Sequence, residues 1–190
     1  MSVILTVHQF RKEEVRRLHN IAHGAVFIYP TDTIYGIGCD ATNDVAVRRV
    51  REIKKREDKP FSVIAPSKEW ITENCSVPAA GKEWLAKLPG PYTLILKLKK
   101  NRVAHSVNNG METLGVRIPD HWIAGVAAKL EKPIVTTSVN HANQAFATSV
   151  AEIPVEILDE VDFVIDEHRK EGRPSTIVDL TGKEPVIKTR

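Results

Sequence analysis

Short apolar runs rich in β-branched residues recur along this chain, several of them ending in clusters of hydroxyl or amide side chains, and they alternate with helical patterns from one end to the other. An alternation of this kind selects an α/β fold over an all-helical or all-strand one. The clearest run, 25–29, stops at Pro30 and empties into Thr31-Asp32-Thr33-Ile34-Tyr35-Gly36-Ile37-Gly38. A second, 133–137, ends in Ser138-Val139-Asn140. Polar loops at strand ends are where open α/β sheets place their ligands.

The same periodicities predict further strands at 61–65, 92–98, 114–118, 163–166 and 176–180, and helices at 11–23, 67–74, 80–87, 120–130 and 149–159. Val15, Leu18, Ile21 and Ala22 share one face of the 11–23 helix. Another helix starts at Asn43 or Asp44, either of which can cap it, and runs to about Arg56 with Ala46, Val50 and Ile53 inward. Asp120 is the expected cap of the 120–130 helix. Segments 100–111 and 141–148 read as irregular.

Composition narrows the function classes. With 190 residues and no repeat or linker, a single domain over 1–190 is expected. No apolar run approaches the roughly 18 residues of a membrane span. Cys39 and Cys75 lack metal or redox spacing, and the seven histidines form no compact ligand motif. There is no nucleophile-elbow serine and no phosphate loop of the GxxxxGK[ST] type, so a nucleotide site must be built another way. The N-terminal residues carry no secretory pattern, so a cytoplasmic location is expected. The net charge of +3 and the aromatic fraction of 6% do not by themselves point to nucleic acid.

Four groups of residues can carry chemistry. The loop at 31–38 offers hydroxyls, a carboxylate and glycines that permit close backbone approach, or it is a turn that satisfies its own backbone. Lys54, Arg56 and Lys59 stand where the second helix ends; the helix dipole alone favours cations there, and converging cations are also what a polyphosphate demands. Ser138 and Asn140 are two apart and share a direction if the strand continues. Arg117, inside an apolar strand, must meet an anion, either a structural carboxylate or that of a substrate.

These segments, in order, resemble the YrdC family, the threonylcarbamoyl-AMP synthases: YPTDTIYGIGCDA at 29–41, IKKREDKPFSVIA at 53–65, GPYTLIL at 90–96, TLGVRIPDH at 113–121, TTSVN at 136–140 and PSTIVDL at 174–180. The resemblance implies a twisted mixed sheet flanked by helices around a positively charged cavity for ATP and threonine. Its K-x-R and S-x-N signature falls on Lys54, Arg56, Ser138 and Asn140, the implied catalytic positions. It implies threonine contacts at Thr33, Arg117 and Thr136, with Arg117 on the substrate carboxylate. It implies ATP contacts at Lys54, Arg56, Lys59, Thr113, Ser138 and Asn140, with Mg²⁺ accompanying ATP.

The implied reaction condenses L-threonine, bicarbonate and ATP to threonylcarbamoyl-AMP and pyrophosphate, for a downstream transferase that modifies tRNA. The chain departs from the pattern after Asn140: His141 to Ser149 replace a Ser-Gly and a Pro-Ser, leaving Thr148 and Ser149 as the available hydroxyls. The 56–60 segment is one residue shorter and lacks an Arg-Pro step. The resemblance also implies a minimal form, with the second domain of longer members absent and Ile64 where they often carry histidine. The alternatives are a carbamoyl-adenylate-forming paralogue and a non-enzymatic module that grips tRNA or double-stranded RNA.

Overall fold

A computed structural model describes residues 2–141 and 144–189. In chain order the elements are β1 (Val3–Thr6), α1 (Val7–Lys12), α2 (Glu14–Ala22), β2 (Phe27–Tyr29), β3 (Gly36–Gly38), α3 (Asp44–Lys54), β4 (Ser62–Ile64), α4 (Lys68–Asn74) and β5 (Cys75–Ser76). They continue with α5 (Gly81–Ala86), β6 (Tyr92–Leu98), α6 (His105–Asn108), β7 (Thr113–Arg117), α7 (Ala124–Leu130), β8 (Ile134–Ser138), a 3-10 turn (Val150–Glu152), α8 (Val155–Glu160), β9 (Phe163–Asp166), β10 (Thr176–Asp179) and β11 (Val186–Lys188).

The strands form one mixed, twisted sheet in the order β1-β9-β2-β3-β8-β4-β7-β6-β10-β11, with β5 on the side of β6. Strands β4 and β7 pair in parallel, as do β6 and β10, while β8 runs antiparallel to both of its neighbours, β3 and β4. Parallel pairing sends the chain across a face between paired strands, so both faces acquire helical cover.

Side chains accordingly divide by strand period. Ile28, Val63, Val135 and Val164 enter one buried cluster, which α3 caps with Ala46, Val50 and Ile53. Phe27, Tyr29, Ile64, Ile134, Phe163 and Ile165 enter the other, with Phe10, Ile21 and Val126 from the helices. Burying both faces explains why these strands read as continuous apolar runs rather than as alternating patterns. Ile64 is wholly buried in the second cluster.

The predicted elements are present with shifted ends, except that the 149–159 helix is divided into the 3-10 turn and α8, and three further details differ. The 11–23 helix is broken at Glu13 into α1 and α2, and the change of phase leaves Val15 84% exposed while Arg17 is buried. Arg17 is held by Glu13 at 2.6 Å and lies over the Phe163 ring. Asp120 does not cap α7, which starts four residues later; its N–H donates instead to Asp32 Oδ2 at 3.0 Å. The 100–111 segment contains the short helix α6.

The Gly36-Ile37-Gly38 stretch is a strand rather than only a ligand loop, wedged between β2 and β8. A Cβ on Gly38 would fall 1.8 Å from the Val135 carbonyl oxygen. The close approach that this glycine permits is thus to the neighbouring strand.

Candidate active site

A cavity of about 630 Å³ opens where the 31–36 loop, the α3–β4 loop and strands β6, β7, β8 and β10 converge. Its wall is rich in hydroxyls, including Thr31, Thr33, Thr113, Thr136, Thr137, Ser138 and Ser175. Phe61, Ile95, Met111 and Ile177 supply apolar surface. Among the described residues Arg56, Lys59, Arg117 and Lys188 bring cations to the wall, against a single carboxylate, Asp179.

Part of the wall is a buried network. Thr31 Oγ1 donates to Ile34 O at 2.7 Å and accepts from the N–H groups of Thr33 and Ile34, so the loop does satisfy its own backbone. Thr33 Oγ1 lies 2.9 Å from Thr31 Oγ1 and 3.5 Å from Arg117 Nη1. Arg117 is ion-paired with Asp32 through Nη2, and the two side chains are only 7% and 10% exposed. Burial lowers the Arg117 pKa from its ordinary value, while the Asp32 charge opposes that shift.

The structural carboxylate left open by sequence therefore exists, yet it does not exhaust Arg117. Arg117 still lines the cavity, and its buried Nε has no hydrogen-bond partner among the described residues. Thr136, also buried, completes this side from β8. The pairing of Arg117 with Asp32 was invisible in sequence because the partners are 85 residues apart, although the need for some anion was not.

The second part of the wall is looser. Arg56 reaches Pro60 O at 3.0 Å and Thr137 Oγ1 at 3.5 Å and lies 5.3 Å from the Phe61 ring, while Lys59 is exposed. Thr113 stands half-buried on β7. Thr33, Arg56, Lys59, Thr113, Arg117, Thr136 and Ser138 thus all meet at one cavity.

Lys54 and Asn140 do not line it. Lys54 is 2% exposed and donates through Nζ to Ser138 O, to Asn140 O at 2.8 Å and to Asn140 Oδ1 at 3.0 Å. Ser138 Oγ donates to the same Asn140 Oδ1 at 2.6 Å, and Asn140 Nδ2 donates to Gln144 O. The signature residues are brought together, but with Lys54 and Asn140 behind the wall, gripping the turn that carries Ser138. Burial, with help from Arg56, pulls the Lys54 pKa down to about 7. Among the described residues its acceptors are two carbonyls and an amide oxygen, with no carboxylate to hold the charge.

Beyond Asn140, Ala142 and Asn143 lie outside the described residues. Thr148 does not stand in as a wall hydroxyl: its N–H and Oγ1 both donate to Glu152 Oε2 at 2.8 and 2.9 Å. Ser149 is likewise absent from the described lining.

The profile of the Sua5/YciO/YrdC family, described as telomere recombination, matches residues 19–190. The chain belongs to this family. A Methanocaldococcus jannaschii protein named provisionally as a threonylcarbamoyl-AMP synthase is 37% identical over 185 residues, 93% of this chain and 87% of that one. The threonylcarbamoyl-AMP synthase of Xanthomonas euvesicatoria pv. vesicatoria is 34% identical over 157 residues, 80% of this chain and 83% of its own. The crystal structure of P. abyssi Sua5 complexed with L-threonine superposes with a TM-score of 0.86 at 29% identity, covering 98% of this chain. This chain spans 56% of the P. abyssi chain.

The Sua5/YciO/YrdC fold also brings a segment to the threonine-rich loop that the motifs did not single out. Residues 167–173 form a strap between β9 and the 174–180 segment that leads into β10. Tyr35 Oη accepts from the Glu167 N–H at 2.9 Å and donates to the Glu167 carbonyl. The Glu167 carboxylate receives Trp122 Nε1 at 2.9 Å and also holds His121 and Lys170. Burial pushes this carboxyl up, but the hydrogen bonds from Lys170, Trp122 and His121 together outweigh it and hold the pKa at about 2. Gly172 rests on the loop so closely that a Cβ would lie 2.4 Å from Thr33 O. Glycine's turn-forming role is visible in sequence, whereas a contact across about 140 residues is not.

Proposed function

We propose that this chain is a transferase that condenses L-threonine, bicarbonate and ATP to threonylcarbamoyl-AMP and pyrophosphate. The observation that carries this reading is the joining, in one cavity of about 630 Å³, of a buried guanidinium among threonines and a second set of cations, the half-buried Arg56 with the exposed Lys59 and Lys188. That volume lies in the range of roughly 300–1,000 Å³ found for small-molecule and cofactor sites. The relatives that bear the synthase name, and the P. abyssi complex with L-threonine, support the choice of substrates.

In this reading threonine's carboxylate meets the remaining donors of Arg117, beside Thr33 and Thr136, since a guanidinium carries five N–H groups and Asp32 does not use them all. The threonine amine and bicarbonate give a carbamate with loss of water. A carbamate oxygen then attacks the α-phosphorus; the new O–P bond forms as the bond to the β-phosphate bridging oxygen breaks, and pyrophosphate leaves with the electron pair. Arg56 and Lys59 hold the phosphates, while Thr113 and Ser138 offer hydroxyls to the nucleotide. Lys54 and Asn140 act by shaping the Ser138 turn. Such a nucleotidyl transfer is served by positioning and charge stabilisation, without a protein nucleophile.

Magnesium enters as part of the ATP substrate. Among the described residues no group of three or more His, Cys, Asp or Glu side chains is placed to hold a metal. Asp179, the one wall carboxylate, already accepts from Thr181 through Oδ1. Phosphate oxygens and water would supply the ligands of a hard cation bound with ATP here. The product is a mixed anhydride, and a downstream transferase passes its acyl group to an adenosine of tRNA. No helix among the described residues is long and apolar enough to cross a membrane. We assign the reaction to the cytoplasm, where ATP and tRNA are at hand.

The test is to mix the protein with MgATP, L-threonine and bicarbonate and to follow threonylcarbamoyl-AMP by mass spectrometry. Product that requires all three substrates is the expected result. Arg56→Ala should lower the yield about 100-fold without unfolding the chain, the scale seen when one charge-stabilising donor is lost. Adenylate formation from carbamoyl phosphate with no response to threonine would overturn the assignment.

A further inference from the structure

Arg51 lies one helical turn before Lys54 on α3 and outside the cavity wall, yet its guanidinium gathers much of the loop that carries Arg56 and Lys59. Nη1 donates to the carbonyls of Arg56 at 3.1 Å, Glu57 at 2.9 Å and Lys59 at 3.2 Å. Nε donates to Ser106 O at 2.7 Å and Nη2 to Val107 O at 3.4 Å. The guanidinium plane also covers the Phe61 ring at 4.5 Å. Asn109 adds donors to Glu57 O at 3.3 Å and Asp58 O at 2.9 Å, and Arg56 itself closes on Pro60 O. The carbonyls of residues 56 through 60 therefore all accept side-chain donors.

This matters because residues 55–60 belong to no helix or strand, and apart from Arg56 they are exposed. A connection of that kind, lacking a backbone ladder, takes its order from whatever side chains bind its carbonyls. One guanidinium can serve the loop and α6 together because its donors diverge in a rigid plane, whereas a lysine ammonium is a point charge on a flexible stem.

We infer that Arg51 is a positioning residue for the phosphate side of the site: it sets the 56–59 loop against α6 and thereby aims Arg56 and Lys59, without touching substrate. The inference rests on the proposed function in assigning a polyphosphate to those two cations. It differs from a merely stabilising role in being one-sided, since the threonine side is held by Asp32 and the 31–34 turn, neither of which Arg51 contacts.

The experiment uses the full chain as Arg51→Lys and, separately, as Asn109→Gly. The lysine keeps the charge but cannot bridge the loop and α6. The glycine keeps the left-handed backbone of Asn109, φ 55°, while deleting its two donors. Amide hydrogen exchange at residues 57–59 and calorimetric affinities for MgATP and for L-threonine are measured on each. Arg51→Lys should speed exchange in the loop and weaken MgATP about tenfold, the scale of one charge-assisted hydrogen bond, with threonine affinity unchanged. Asn109→Gly should do the same more weakly.

Unchanged exchange at 57–59 in Arg51→Lys, or unchanged MgATP affinity despite faster exchange, overturns the inference. So does equal weakening of both substrates, which marks a general loss of fold. If Arg51→Lys does not fold, Asn109→Gly decides by the same criteria. Wild-type protein that binds no MgATP refutes the proposed function and the phosphate assignment with it, while the exchange result still decides whether Arg51 holds the loop.

Discussion

Arg117 and Arg56 both present a guanidinium to the same cavity, and they are held in opposite ways. Arg117 sits on a strand, buried, paired with Asp32 and close to a self-satisfied threonine turn. Arg56 stands on a connection whose carbonyls are tied down by Arg51 and Asn109, with the Pro60 carbonyl and the Thr137 hydroxyl among its own hydrogen-bond partners. On the proposed function Arg117 takes a short zwitterion, which offers few contacts, so its site must be preorganised before binding. On the same proposal Arg56 and Lys59 meet a polyphosphate, which offers many equivalent oxygens and can be met by less deeply buried cations at lower desolvation cost. The contrast teaches that a charge's surroundings, more than its presence in a motif, decide which substrate it suits.

The sharpest way to break this comparison is Arg117→Ala. Removing one partner of a buried pair strands the other, which costs about 3–5 kcal/mol. Both threonine use and thermal stability should fall, and turnover against threonine concentration together with a melting curve reads the two effects. The double variant Asp32→Asn with Arg117→Met should recover much of the stability but none of the threonine use. Recovery of both would make the pair purely structural.

Lys54→Met tests whether a signature lysine behind the wall works through its turn. Turnover should fall about tenfold, as expected for losing charge-assisted hydrogen bonds to a turn that carries the proposed substrate contact Ser138. The pH dependence of stability is a second readout. Folded Lys54 titrates near 7, and an unfolded lysine near 10.4. Between those values the unfolded chain binds more protons, so this group makes stability rise with pH across that window. Denaturant titrations at several pH values should show the rise in wild type and its loss in Lys54→Met.

The smallest effect is expected at the strap. The folded Glu167 pKa of about 2 lies below that of an unfolded glutamate, so its contribution is full above pH ~4.3 and is lost as pH falls through about 2. The carboxylate is partly exposed, and Glu167→Gln should cost at most about 1 kcal/mol at neutral pH. Acid denaturation should show a steeper loss in wild type than in the variant between those pH values.

Much of this architecture was legible in the sequence. Helix α3 is the clearest case, with Asn43 accepting from Ala46 N as its cap and Ala46, Val50 and Ile53 buried, because capping and helical period are local properties. Strand β6 runs over the predicted residues for the same reason. The edge strands β1 and β11 escaped notice, since each is short and mostly exposed, and pairing alone defines it.

For the site, sequence by itself determined the inventory: which threonines, cations and amides end the buried runs, and that Arg117 must find an anion. Tertiary structure decided their ranks. It chose Asp32 for Arg117, moved Lys54 and Asn140 behind the wall, pressed Gly172 onto Thr33 and joined Arg51 to the carbonyls of Ser106 and Val107 on α6. The physical reason is common to all four. Each depends on a backbone group or charge supplied by a different segment, and the need for a partner is written locally while the partner's position is fixed only when the sheet assembles.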